Sequence, residues 1–170
     1  GVIAYDAIRA AMQTPEIVAL ALIIGGIIIL LLERVVKTVR FHAVEEIPFG
    51  TALSIGLVQC TAMLPGVSRS GATIMGGLMM GVERKTAAEF SFFLAVPTML
   101  AATVYALWKD RALLNADDLG MIAIGFTMAF LVAVVVVKAF VAIVGKYGFA
   151  PFAYYRIIIG TAALLWLTLR

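Results

Sequence analysis

A chain of 170 residues in which 64% are hydrophobic and only 14% charged, with a mean hydropathy of +1.09, lies outside the range of water-soluble domains and reads as an all-α integral membrane protein. Its formal net charge of +3 is modest, and basic residues at membrane edges account for it through orientation bias and contact with membrane lipids, so nucleic acid is not implied as a partner. The lone cysteine, Cys60, excludes an internal disulfide and a cysteine-built metal site, and reads as a small core residue.

In chain order, residues 1–16 are mixed and polar, a connecting segment with Thr14-Pro15-Glu16 as a helix start. Residues 17–32 form a first span whose Gly25-Gly26 pair lets another helix approach closely. Residues 33–48 alternate in charge up to Pro48 and make an aqueous or interfacial connection in which His42 is simply solvated. Two apolar runs follow, 49–64 and 72–82, each too short to cross a hydrocarbon core of ~30 Å. Joined by a Pro/Gly-interrupted loop, they predict a re-entrant helical hairpin over 49–82, its tip lining a polar cavity. Glu83-Arg84-Lys85 returns the chain to the surface. Residues 87–108 make the next span, with Pro97 as a kink, and residues 109–118 a polar loop. Spans at 119–144 and 152–169 complete a single membrane domain over 1–170, with four spans in all. If the hairpin enters and leaves on one side, Arg34, Lys37, Arg40, Arg84, Lys85 and Lys146 share that side against Arg9, Lys109, Arg111 and Arg170. Six basic residues against four favour the first side as cytoplasmic.

The hairpin loop Pro65-Gly66-Val67-Ser68-Arg69-Ser70-Gly71 carries the chemistry. An arginine at membrane depth costs about 2.5–3.5 kcal/mol and is a functional site by default, with a buried anion as partner. Arg69 offers a rigid fork of donors matched to phosphate oxygens; Ser68, Ser70 and Thr73 add hydroxyls. Gly66 and Gly71 permit tight turns and close approach of an oxyanion, and a helix beginning near Ala72 presents free N–H groups and the positive end of its dipole. Together these residues predict one anion cradle. The bland alternative has Arg69 pinning the hairpin through a carboxylate or backbone carbonyls. Elsewhere, Glu89 reads as a helix cap or a partner of Arg84 or Lys85, Lys138 as a side chain that snorkels or pairs across helices, and Gly76, Gly77 and Gly81 as packing contacts.

The stretch from Gly56 to Ile74, containing Gln59-Cys60-Thr61 and Pro65-Gly66-Val67-Ser68-Arg69-Ser70-Gly71, followed by Gly77, Gly81 and Ala88-Glu89-Phe90-Ser91-Phe92, resembles the second signature region of bacterial undecaprenyl pyrophosphate phosphatases. The resemblance extends from about Glu16 to the C-terminus. It implies an enzyme of the bacterial plasma membrane that removes the terminal phosphate of a polyprenyl pyrophosphate, recycling the lipid carrier for peptidoglycan synthesis, a step that bacitracin opposes. It also implies inverted repeats with two re-entrant hairpins, a dependence on a divalent cation (Mg2+ or Ca2+), and a homodimer as an open possibility. Carried over, Arg69 and Ser68 would be catalytic, holding the pyrophosphate and offsetting charge on the transferred phosphoryl, with Ser70, Thr73, Gly66 and Gly71 as further substrate contacts and Gln59 in support. No metal ligand is visible here, since Gln59 is a neutral amide and no paired intramembrane carboxylates occur. The family's first hairpin, with its Glu, Ser and His, has no counterpart in this sequence. The expectation is therefore a C-terminal portion that supplies the Arg/Ser half of the site and is inactive by itself. A different reading, from short broken helices alone, is a transporter or flippase of an anionic lipid or small anion.

Overall fold

The computed structural model describes residues 15–36, 38–109, 111 and 119–169. Within them the chain forms α1 (Pro15–Val35), α2 (Phe49–Gln59), α3 (Arg69–Met79), α4 (Arg84–Lys109), α5 (Leu119–Tyr147) and α6 (Ala150–Thr168), with 3-10 turns at Val44–Glu46 and Cys60–Met63. The all-α expectation holds, with no strand among the described residues. The connecting segment at 1–14, the loop at 110 and 112–118, and three of the residues in the basic-residue comparison, Arg9, Lys37 and Arg170, lie outside the described residues.

Four helices are long and apolar enough to cross a membrane: α1, α4, α5 and α6, of 21, 26, 29 and 19 residues. At 1.5 Å per residue even α6 extends ~28 Å, close to the ~30 Å hydrocarbon thickness, whereas α2 and α3 reach only ~16 Å. Helix ends follow local chemistry. Pro15 opens α1 with Glu16 in its first turn and Arg34 in its last, matching charge to the helix dipole. Gly148, with φ of +70°, ends α5, donating its N–H to Val144 O at 2.9 Å, and Pro151 sits in the first turn of α6. Arg84 and Lys85, expected in a surface link, instead begin α4, because Ala87 N–H already bonds Glu83 O at 2.7 Å.

In hydrocarbon, apolar burial supplies little driving force between helices, so close van der Waals fit must hold α1 against α6. The two helices meet over small residues. A Cβ added at Gly26 would lie 2.6 Å from Ile157 Cγ1 and 2.8 Å from Ala153 O, and one at Gly160 would lie 2.8 Å from Ala19 O. Ala19, Gly26, Ala153 and Gly160 are all buried, one heptad apart on each helix.

A core gathers where the α2–α3 pair meets the nearer ends of the long helices. Ile55, Ile74, Leu78, Val82, Val144 and Phe149 are buried there. The same end is tied by polar contacts. Glu33 Oε1 accepts the N–H of Phe149 at 2.8 Å and pairs with Arg84 Nε at 3.2 Å, linking α1, α4 and the α5–α6 turn. Phe41 bridges to Val82, and Thr86 donates its hydroxyl to His42 O at 2.6 Å. His42 is exposed, as expected of a solvated side chain, and its Nδ1 lies 3.4 Å from Glu83 Oε2. Glu46 Oε2 accepts the N–H groups of His42 and Ala43 at 2.7 and 3.3 Å, which holds its carboxyl below the usual range.

Candidate functional site

After the turn at Cys60–Met63 the chain reverses through Leu64-Pro65-Gly66-Val67. Gly66 has φ of +82°, and a Cβ on it would lie 2.7 Å from Ala21 Cβ and 2.8 Å from Val18 O of α1. Only glycine meets both demands, left-handed backbone and contact with a neighbouring helix. Ser68 follows as the N-cap of α3, its Oγ accepting the N–H of Gly71 at 3.1 Å and lying 3.1 Å from Ser70 Oγ. The cap starts the helix at Arg69 rather than near Ala72. Gly71 is therefore a helical residue and not part of the loop, and the amides of Arg69 and Ser70 have no intrahelical acceptor.

The helical period then divides the expected residues between two faces of α3. On the face toward α2, Thr73 is buried and its Oγ1 lies 2.9 Å from Gln59 Oε1 and 3.1 Å from Arg69 O. Gln59 thus braces the two short helices. Arg69, one turn before Thr73, has Nη1 buried without a hydrogen-bond partner among the described residues. On the other face, Ser68, Ser70 and Gly71 line a cavity of about 240 Å³ that continues along apolar Ile74, Leu78 and Phe152. Arg69 does not line this cavity. The single cradle expected from the sequence is thus two adjacent faces that share the α3 N-terminus, because residues four apart share a side of a helix and neighbours do not.

The sequence reading passed over Arg156. It stands inside α6, lines the same cavity as Ser68 and Ser70, and donates from Nη2 to Gly66 O at 3.2 Å and Ala21 O at 3.3 Å. Its Nε is buried with no partner among the described residues. Gly25 makes room for it, since a Cβ there would lie against Nη2. The signal was available: a charge in an apolar span is the criterion that selected Arg69. Cys60 is exposed on the protein surface rather than in the core, its Sγ 3.6 Å from Gly56 O. Glu89 pairs with Lys85 at 3.8 Å. Gly76 and Gly77 do pack, against Val58 and Ala87, and Gly81 packs against the Arg40 side chain while also serving as a turn residue with φ of +86°.

Chemically, the start of α3 offers hydroxyls, free amides, a helix dipole and two guanidinium groups with unpaired buried N–H donors. That set suits an anion with several oxygens. It does not suit a divalent cation: no Asp or Glu lines the cavity, and guanidinium groups repel metal ions.

A family model described as bacitracin resistance protein BacA matches residues 1–162. The chain is 67% identical over 167 residues to the undecaprenyl-diphosphatase of Sphingopyxis alaskensis, covering 98% of this chain and 63% of that protein. It is 58% identical to the undecaprenyl-diphosphatase of Rhizorhabdus wittichii, covering 100% of this chain and 64% of the relative. It is 49% identical to undecaprenyl-diphosphatase 2 of Paramagnetospirillum magneticum, covering 100% of this chain and 65% of the relative. The chain therefore spans less than two thirds of the length of these relatives.

Proposed function

Because the chain belongs to the bacitracin resistance protein BacA family, we propose that the protein containing it hydrolyses undecaprenyl pyrophosphate to undecaprenyl phosphate and inorganic phosphate in the bacterial plasma membrane. Recycling of the lipid carrier for peptidoglycan synthesis, and protection against bacitracin, follow from that reaction. The relatives named as undecaprenyl-diphosphatases support the reaction class, and none of those three carries a transporter's name, so the transport reading is not carried forward. The observation that carries the reading here is the buried, unpaired Arg69 Nη1 beside the capped start of α3 in a helix too short to cross a membrane.

In this account the reaction breaks the P–O bond between the two phosphoryl groups, and water supplies the oxygen that leaves with inorganic phosphate. Negative charge shifts onto the bridging oxygen and spreads over the transferred group, so the protein's task is positioning and charge stabilisation. Arg69 holds phosphoryl oxygens through its fork. Ser68, whose lone pair is taken by Gly71 N–H, keeps its own proton to donate, either to Ser70 or to the pyrophosphate. Thr73 and Gln59 brace α3 so that Arg69 keeps its aim. Arg156 fixes the hairpin tip through Gly66 O and adds positive charge on the other face. The residues described here do not fit a divalent cation, so no step is routed through one.

The test is phosphate release from undecaprenyl pyrophosphate in detergent, by the protein at the length of its relatives, with undecaprenyl phosphate as the control substrate. Release from the pyrophosphate alone supports the reading. No release from folded protein across several divalent cations contradicts it.

A further inference from the structure

Away from the hairpin, a groove of about 730 Å³ opens between α4 and α5 beneath the turn at Val44–Glu46. Its upper part is charged, with Glu45, Lys85, Glu89 and Lys138 among its lining. Past Glu89 it becomes apolar and continues into a second depression, sharing Glu89, Phe93, Val137 and Val141 with it and reaching Val96. From Lys85 to Val96 the groove follows α4 for 11 residues, ~16 Å along the helix axis. A charged head and a long apolar floor, graded along the axis of a membrane-crossing helix, have the profile of one phospholipid.

The charges specify the head. Lys138, nine residues before the end of α5, has no hydrogen bond or ion pair among the described residues, and neither does the Glu45 carboxylate on the same rim. A lysine inside a spanning helix is costly to insert, and a phosphate would offset its charge. Lys85 and Glu89, 3.8 Å apart, line the same groove as a second pair of opposite sign. Beside His42, which pairs with Glu83, two lysines and two carboxylates on one rim match a zwitterion rather than an anion. The carboxylates ask for a partner with N–H donors, which a primary ammonium has and a quaternary ammonium lacks.

We propose that the groove between α4 and α5 binds a phospholipid whose headgroup joins a phosphate to a primary ammonium, the phosphate on Lys138 and Lys85, the ammonium on Glu45 and Glu89, and an acyl chain along Phe93, Val137 and Val96. The site is separate from the hairpin and does not depend on the reaction proposed above. Delipidated protein, at the length of its relatives, would be incubated with phosphatidylethanolamine, phosphatidylcholine or phosphatidylglycerol, and retained lipid counted by native mass spectrometry. Phosphatidylethanolamine should be retained about tenfold better than phosphatidylcholine, a difference of ~1.4 kcal/mol, and Lys138→Ala, which removes a phosphate contact common to both lipids, should lower the retention of both. Glu45→Gln, on an exposed turn, should reduce the preference for ethanolamine over choline without lowering retention of phosphatidylcholine. Equal retention of all lipids, stronger retention of phosphatidylglycerol, no retention, or indifference to both substitutions would overturn the proposal.

Discussion

Replacing Gly66 with alanine perturbs the hairpin tip with one methyl group. Two effects add. The residue sits at φ of +82°, where a side chain costs roughly 1–2 kcal/mol. The new Cβ would lie 2.7 Å from Ala21 Cβ and 2.8 Å from Val18 O. Relaxing such contacts to a carbon–carbon separation of ~3.5–4.0 Å moves the loop about 1 Å away from α1, and overpacking of this kind costs ~1–3 kcal/mol. The sum is a loss of about 2–5 kcal/mol in folding stability. The displaced loop carries Ser68 and Arg69 with it, and a ~1 Å misplacement of positioning groups lowers turnover by about 100-fold. Gly145→Ala is the internal control, because nothing lies within 4 Å of its added Cβ and it sits in the last turn of α5. There the methyl group should be neutral or stabilising by up to ~1 kcal/mol through helix propensity. Thermal unfolding in detergent and phosphate release from undecaprenyl pyrophosphate would be measured for both. Gly66→Ala with the stability and turnover of the parent protein would refute the argument that the tip is seated on α1.

Arg156→Met keeps most of the stem but abandons Gly66 O and Ala21 O, whose bonds of 3.2 and 3.3 Å are long. Stability should fall by ~2–3 kcal/mol and turnover by at least about 100-fold, with Arg156→Lys recovering part of the stability but little of the rate. A Met variant with unchanged melting temperature would contradict the tethering role. Glu33→Gln retains an oxygen for Phe149 N–H but loses the charge facing Arg84; a drop of ~1–2 kcal/mol is expected in thermal unfolding, and no change would mean that the pair is ornamental. Glu46 has a lowered carboxyl pKa in the folded chain because it accepts the His42 and Ala43 amides. Its contribution is therefore present above the ordinary carboxylate range and lost as the pH falls through the lowered value. The His42 amide resonance should shift on that acidification, and in Glu46→Gln it should not.

Much of the scaffold was legible because a membrane imposes a length. Runs of apolar residues near 20 had to be spans, and each of the four long helices begins and ends within a few residues of its hydropathy boundary. The shortness of the runs around Pro65 and Gly66 marked the hairpin for the same reason. The site was legible in composition but not in arrangement. Ser68, Arg69 and Thr73 stood out as polar groups at depth, yet placing the helix start at Ala72 overlooked Ser68 as an N-cap and so left Gly71 in the loop. With the start at Arg69, the 3.6-residue period separates Arg69 and Thr73 from Ser68, Ser70 and Gly71. Arg156 was hidden for another reason. Its neighbours Gly66 and Ala21 are 90 and 135 positions away in sequence, and nothing local announces such contacts. The groove at Lys138 is similar, since its rim is assembled from a turn and two helices that meet only in the fold.

The central claim is that Arg69 binds the pyrophosphate in its hydrolysis. Phosphate release from undecaprenyl pyrophosphate would be compared between the parent protein, at the length of its relatives, and Arg69→Ala, both at matched levels of folded material. The account predicts ready release by the parent and a loss of about 1000-fold or more in the variant, the scale of removing a charged group that stabilises a phosphoryl-transfer transition state. Release by Arg69→Ala within a few-fold of the parent would contradict it.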